Sequence, residues 1–156
     1  NNFEIGSKHL LETGDEDGAR IALHKALDNE PDEAARSAAA TEFFMESGRT
    51  DLAEEEFSFA LQADPDNPHY FNRLGLAFRR QKKFKEAIEN YRKAIALSPD
   101  DAVVLYNLAI ALAESGVTGQ AIASLRRALI LQPQFPQAEK VLQALQDKSA
   151  LVPARD

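Results

Sequence analysis

The residues with which this chain could do chemistry are three histidines, several carboxylate runs and scattered serines, and their spacing argues against catalysis. A helical metal pair needs two histidines four apart on one helix. His9, His24 and His69 offer no such pair. His9 is expected as a packed side chain on the partly buried side of its helix, and His24, beside apolar Leu23, as an exposed one. Glu54-Glu55-Glu56 falls at a helix start and is expected to be solvated surface. No serine stands in a GxSxG or SxxK context. Neither GxxxxGK[ST] nor GxGxxG is present to cradle a phosphate. With no cysteine, disulfides and cysteine-based metal or redox chemistry are excluded, and the compartment is left open. The expectation is a non-enzymatic chain with no cofactor.

Composition points the same way. The 156 residues suffice for a domain with a sizeable core, and 44% hydrophobic with 28% charged residues describes a folded rather than a disordered chain. No run approaches the roughly 18 apolar residues of a membrane span. The chain begins Asn1-Asn2-Phe3, without an initiator methionine, which suggests a fragment of a longer protein or a processed chain. The net charge of −7 is uneven. Residues 1–67 hold 5 basic and 17 acidic side chains, whereas 68–101 hold 8 and 4. An acidic chain of this kind lacks the basic stripe of a nucleic-acid binder.

The elements that position these residues are clearest at 68–101. Phe71, Leu74, Ala77 and Phe78 recur at spacings of three and four, which predicts an amphipathic helix. Gln81-Lys82-Lys83 breaks the pattern. Ala87, Ile88, Tyr91, Ala94, Ile95 and Leu97 then predict a second helix, stopped by Pro99. One such pair cannot hide both apolar faces and needs neighbours of its own shape.

Those neighbours are present. Pro31, Pro65, Pro99 and Pro133 are each 34 residues apart. With proline near 5% of average composition, three further hits arise by chance about once in ten thousand. Alanine fills two more columns, Ala19/Ala53/Ala87/Ala121 and Ala26/Ala60/Ala94/Ala128. Bulky apolar residues fill Leu10/Phe44/Phe78/Leu112 and Leu23/Phe57/Tyr91/Leu125. Gly14, Gly48 and Gly116 share a turn column in which Lys82 is the exception.

This pattern resembles the tetratricopeptide repeat, a helix-turn-helix unit. Unit three matches best, through Phe71, Leu74-Gly75, Phe78, Ala87, Tyr91, Ala94 and Pro99. Units one and two depart, with Ser37 at the large aromatic position and Ser7 and Thr41 at the small one. The resemblance implies an all-α fold, a right-handed α-solenoid superhelix of antiparallel helix pairs. A single domain over 1–148 is expected, with repeats at about 1–33, 34–67, 68–101 and 102–135.

Helices are expected near 2–13 and 16–28, 32–47 and 50–62, 68–80 and 84–96, and 102–114 and 118–130. Residues 136–147 form a fifth first-helix without a partner and serve as a capping helix. Residues 149–156 are expected as a frayed tail, with Leu151-Val152 able to dock on a neighbouring molecule. The alanine-rich stretch of unit two, Ala34 to Ala40, leaves either a close helix contact or a pocket, and close packing is expected. Gly75 and Ala109 are expected opposite Ala87 and Ala121, small residues that let helix backbones approach.

The resemblance further implies that the first helix of each unit lines a concave, partner-binding groove. In unit three its residues would be His69, Asn72, Arg73, Leu76 and Arg79, with Arg80 at the rim. Unit four would give Val103, Tyr106, Asn107, Ile110 and Glu114, and the capping helix Gln137, Lys140 and Val141. Units one and two would give Asn1, Glu4, Lys8, Glu12, Ala35, Ala38, Glu42, Met45 and Glu46. Such a groove is acidic early and basic late. It would suit a peptide or helix with an acidic or carboxy-terminal end, held by arginine forks and the Asn107 amide. The family's carboxylate clamp for chaperone tails is not reproduced: only Asn107 fits, Asn72 and Leu76 replace its first Lys-Asn pair, and Gln137 and Val141 replace its last Lys-Arg pair. The alternatives are a structural module for self-association or for docking within a larger chain, or an accessory domain of an enzyme.

Overall fold

The computed structural model describes residues 2–151, with side chains over 5–149. The helices are α1 (Asn2–Glu12), α2 (Glu16–Ala26), α3 (Glu33–Glu46), α4 (Thr50–Ala63), α5 (Pro68–Arg80), α6 (Phe84–Leu97), α7 (Ala102–Glu114), α8 (Thr118–Leu131) and α9 (Pro136–Leu151). No strand occurs among the described residues, so the fold is all-α. No helix among them is long and apolar enough to cross a membrane. α9 continues to Leu151, so helix extends into a stretch expected to fray. The side chains of Leu151 and Val152 lie outside the described ones, as do those of Asn1, Phe3 and Glu4.

The helix pairs are set by their turns. Gly14, Gly48 and Gly116 all take the left-handed backbone conformation, at φ of 84°, 74° and 87°. In each turn the amide following this residue donates five residues back, Asp15 to Leu10, Arg49 to Phe44 and Val117 to Leu112. This closes the helix end and satisfies carbonyls that would otherwise be orphaned. Lys82 does the same at φ 59°, with Lys83 N–H donating to Phe78 O at 2.9 Å. A side chain there costs about 1–2 kcal/mol, partly offset by the greater flexibility of an unfolded glycine. Lys82→Gly is therefore expected to stabilise the protein by about 0.5–1 kcal/mol, read as a higher urea midpoint. The starts of α2, α3 and α7 are capped by aspartates. Asp15 accepts from Gly18 N at 2.9 Å, Asp32 from Ala35 N at 2.6 Å, and Asp101 from Val103 N and Val104 N.

The chain divides into two compact units, Asn1–Leu74 and Gly75–Asp156. In the first, α1 packs on α2, α3 on α4, and α2 meets α3. Its core contains Leu23, Ala40, Phe44, Leu52 and Ala53, edged by Leu11, Leu27, Phe43 and Met45. Phe57 of α4 stacks on Tyr70 with ring centroids 5.9 Å apart. Alanines 34, 35, 38 and 40 are buried, as close packing requires. The packing is incomplete, however: Ala34, Ser37, Ala60, Ala63 and Tyr70 line a cleft of about 120 Å³.

In the second unit α7 packs on α6 and α8, and α8 on α9. All four alanines of the first column are buried, Ala19 and Ala53 in the first unit and Ala87 and Ala121 in this one. The nearest side chain to Gly75 is Tyr91, not Ala87: a Cβ added at Gly75 would lie 2.6 Å from two ring carbons of Tyr91. In this helix pair the residue with no side chain thus meets the bulky second-helix column, at Tyr91.

Candidate functional site

α7 reads AVVLYNLAIALAE, apolar almost throughout and charged only at Glu114. An apolar helix is stable in water when neighbours cover it, and α7 is covered over most of its surface. Ala102, Val104, Leu105, Leu108, Ala109, Ala111 and Leu112 are buried. One stripe is left. Val103 is 48% exposed, Tyr106, Asn107 and Ile110 are half-buried, and Glu114 is exposed. The spacings of three and four put these residues on one line along the helix.

Two contacts place other elements beside this stripe. At one end Arg79 of α5 donates through Nη1 to Glu114 Oε1 at 2.9 Å, with the two side chains 28% and 41% exposed. At the other, Tyr106 lies against Phe135, ring centroids 5.1 Å apart. Phe135 is buried and its carbonyl accepts from Glu139 N–H in the first turn of α9. The exposed Lys140 and Gln137 and the half-buried Val141 follow on α9. The sequence reading did not single out Phe135. Its signal was Phe135-Pro136, an apolar residue just before a proline that opens a helix.

The unit Gly75–Asp156 thus brings together Arg79, Tyr106, Asn107, Ile110 and Glu114, with half-buried Leu76 and exposed Arg80 also on α5. Asn107 and Arg80 both have interactions within the chain. Arg79 is not the open cation that the sequence suggested, because Glu114 already holds it. His69, Asn72 and Arg73 lie on the part of α5 that belongs to the first unit. His69 and Arg73 are exposed there, and Asn72 is half-buried. In that unit Lys8, Glu12 and Glu46 are exposed and Glu42 and Met45 half-buried, but Ala35 and Ala38 are buried, at 8% and 3% exposure. These two alanines therefore offer no groove surface; their short side chains are used for helix packing.

The histidines and the Glu54-Glu55-Glu56 run also differ from expectation. His9 is exposed, not packed. Glu56 is buried at 5% exposure, whereas Glu54 and Glu55 are solvated. Glu56 lies three residues beyond Ala53 and so shares its buried face. His24 is half-buried and pairs with it, Nε2 to Oε1 at 2.9 Å. That hydrogen bond raises the His24 pKa above its ordinary 6.5, against the opposing effects of burial, Arg36 and Arg20. Around this pair Arg20 bonds Glu55, and Arg49 bonds both Glu16 and Asp51. These contacts hold α2 to α4 and the α3–α4 turn to α2. Among the described residues no group of three or more histidines and carboxylates is placed to hold a metal ion.

Comparison with known proteins follows the same lines. Residues 75–116 match the family model described as TPR repeat. The type IV pilus assembly protein PilF of Pseudomonas aeruginosa is 33% identical over 76 residues, a match covering 49% of this chain and 30% of that protein's length. The solved structure of Pseudomonas aeruginosa PilF is similar at a TM-score of 0.63 and 26% identity, covering 96% of this chain and 68% of the other. MamA gives a TM-score of 0.65 at 23% identity over 93% of this chain and 85% of its own. The first TPR of Spaghetti, bound to the HSP90 peptide SRMEEVD, gives 0.63 at 23% identity over 76% of this chain and 94% of its own. The last two likenesses speak to fold alone. The 34-residue period, the turn-closed helix pairs and the match of residues 75–116 to the repeat model together show a protein built of tetratricopeptide repeats.

Proposed function

We propose that the chain is a non-enzymatic protein–protein interaction module, an adaptor that holds a peptide or helix of its partner along the uncovered stripe of α7. The observation that carries this reading is the incomplete covering of an apolar helix: Val103, Tyr106 and Ile110 stay accessible while seven neighbouring side chains on α7 are buried. Accessible apolar side chains beside Asn107, with the Arg79–Glu114 pair at one end, offer an apolar seat with polar edges, the usual anatomy of a protein interface. The peptide in the Spaghetti structure shows that a protein of this fold binds such a segment. The clamp residues for a chaperone tail are not reproduced here, so the segment differs from that one.

Ile110→Glu puts a charge into the middle of the stripe without touching the buried face. Its test is affinity capture from an extract of the source cells, with native and Ile110→Glu chains as paired baits and mass spectrometry as readout. The expected result is at least one protein held by the native bait and reduced about tenfold or more on the variant, as for loss of a central interface anchor. Identical captured sets with an unchanged melting temperature would remove the stripe from the account.

A further inference from the structure

Unit two is under-filled at two positions of the repeat. Ser37 stands in the column that holds Phe71 and Leu105, and Ala63 in the column that holds Leu97 and Leu131. Phe71 and Leu105 are buried, at 6% and 2% exposure, so later repeats pack a bulky side chain at the place of Ser37. In unit two both side chains are short, and the cleft of about 120 Å³ walled by Ala34, Ser37, Ala60, Ala63 and Tyr70 is the room they leave. Ser37 is half-buried and Ala63 exposed, so the cleft reaches the surface. An apolar hole of about 150 Å³ takes a benzene molecule, which puts this cleft on the scale of one aromatic ring. Tyr70, in its wall, already stacks on Phe57 at 5.9 Å and meets Phe71 edge-on at 5.8 Å. A further ring there joins a cluster whose contacts stabilise beyond their buried area. The rim selects the charge. Asp32, Glu33 and Asp64 line the same cleft and are exposed, and none of the described residues lining it is basic. Residues 1–67 as a whole hold 17 acidic side chains against 5 basic ones. That field repels an acidic segment and attracts a basic one.

We propose that this cleft is a second binding site, which takes an aromatic side chain from a partner segment where lysine or arginine flanks that residue. The ring occupies the place in unit two that Phe71 takes in unit three, and the flanking cations face Glu33 and Asp64. A basic segment without the ring leaves the cleft empty, and a ring on an acidic segment meets like charge at the rim. The site does not depend on the α7 stripe, and either stands if the other falls.

The probe is an acetylated, amidated lysine-phenylalanine-lysine tripeptide, titrated into the full chain with isotope-labelled alanine methyl groups. Saturable shifts of the Ala34, Ala60 and Ala63 methyl resonances are expected, with cross-relaxation from the probe's ring protons. Alanine in place of the probe's phenylalanine is expected to weaken binding about tenfold or more, as for the loss of a buried ring. Glu33→Gln with Asp64→Asn is expected to weaken it about two- to fivefold at low salt and to reduce its salt dependence. Ser37→Phe supplies the ring from within and is expected to abolish binding. Ala63→Leu restores the other missing side chain and serves the same purpose if Ser37→Phe lowers the melting temperature. No saturable shift at these methyl groups, equal affinity for the alanine probe, or an unchanged affinity in the charge variant would overturn the site. So would binding that persists in whichever filled variant remains folded.

Discussion

Gly75→Ala is expected to destabilise the protein by about 1–2 kcal/mol, although alanine is the better helix former. The helix preference alone favours the substitution by about 1 kcal/mol. Packing opposes it. The new methyl would sit 2.6 Å from Cδ1 and Cε1 and 2.9 Å from Cζ of Tyr91, and the fully buried ring has nowhere to swing. Overpacking of this kind costs about 1–3 kcal/mol, and more when neither side can yield. The other units show the remedy. Ser7 stands in the column opposite Leu23, Thr41 opposite Phe57 and Ala109 opposite Leu125; Ser7, Thr41 and Ala109 are all buried. Adding Tyr91→Leu to Gly75→Ala turns the third pair into a copy of the fourth. The double variant is expected to recover at least half of the loss, and urea unfolding of the native chain, the two single variants and the double variant measures the coupling directly.

His24→Ala is expected to cost about 1–2 kcal/mol near pH 6, because it strips the Glu56 carboxylate of its His24 partner while leaving it buried. The figure is kept low because the His24 side chain is 43% exposed and water screens the pair. The pH dependence has a definite sign. The folded His24 pKa lies above 6.5 because the Glu56 bond outweighs burial, Arg36 and Arg20. The charged pair therefore contributes fully below about pH 6.5 and is lost as pH rises through the folded pKa. The native chain should show its urea midpoint falling over that window, and Glu56→Gln should flatten the slope there. A midpoint in native protein that rises between about pH 6 and pH 8 would contradict the pairing.

Within each repeat the fold was legible because one residue type recurs wherever one geometry recurs. The glycine column marks left-handed turn residues, and even its exception kept the geometry: Lys82 takes φ 59° because the surrounding turn is fixed by the helices on either side. The buried alanine column marks close helix contact. Less legible were contacts between repeats, which join positions about one period apart. His24–Glu56, Arg20–Glu55, Arg49–Glu16 and Arg79–Glu114 are separated by 32, 35, 33 and 35 residues. Side by side, such residues appear in a linear sequence only as unrelated charges, which is why Glu56 read as solvated and Arg79 as open. The α7 stripe was visible as residue types on one helix face. That Val103, Tyr106 and Ile110 escape covering while their neighbours do not depends on packing against α6, α8 and Phe135, which no single helix reveals.

The most direct measurement of whether α7 is the binding surface is site-specific photo-crosslinking in the source cells. A photoreactive phenylalanine derivative replaces Tyr106 on the α7 stripe in one variant and exposed Glu89 on α6 in another. The stripe account predicts a discrete partner adduct from position 106, lost when Ile110→Glu is added, and none from position 89. Adducts from position 89 alone, or equally from both, would contradict it.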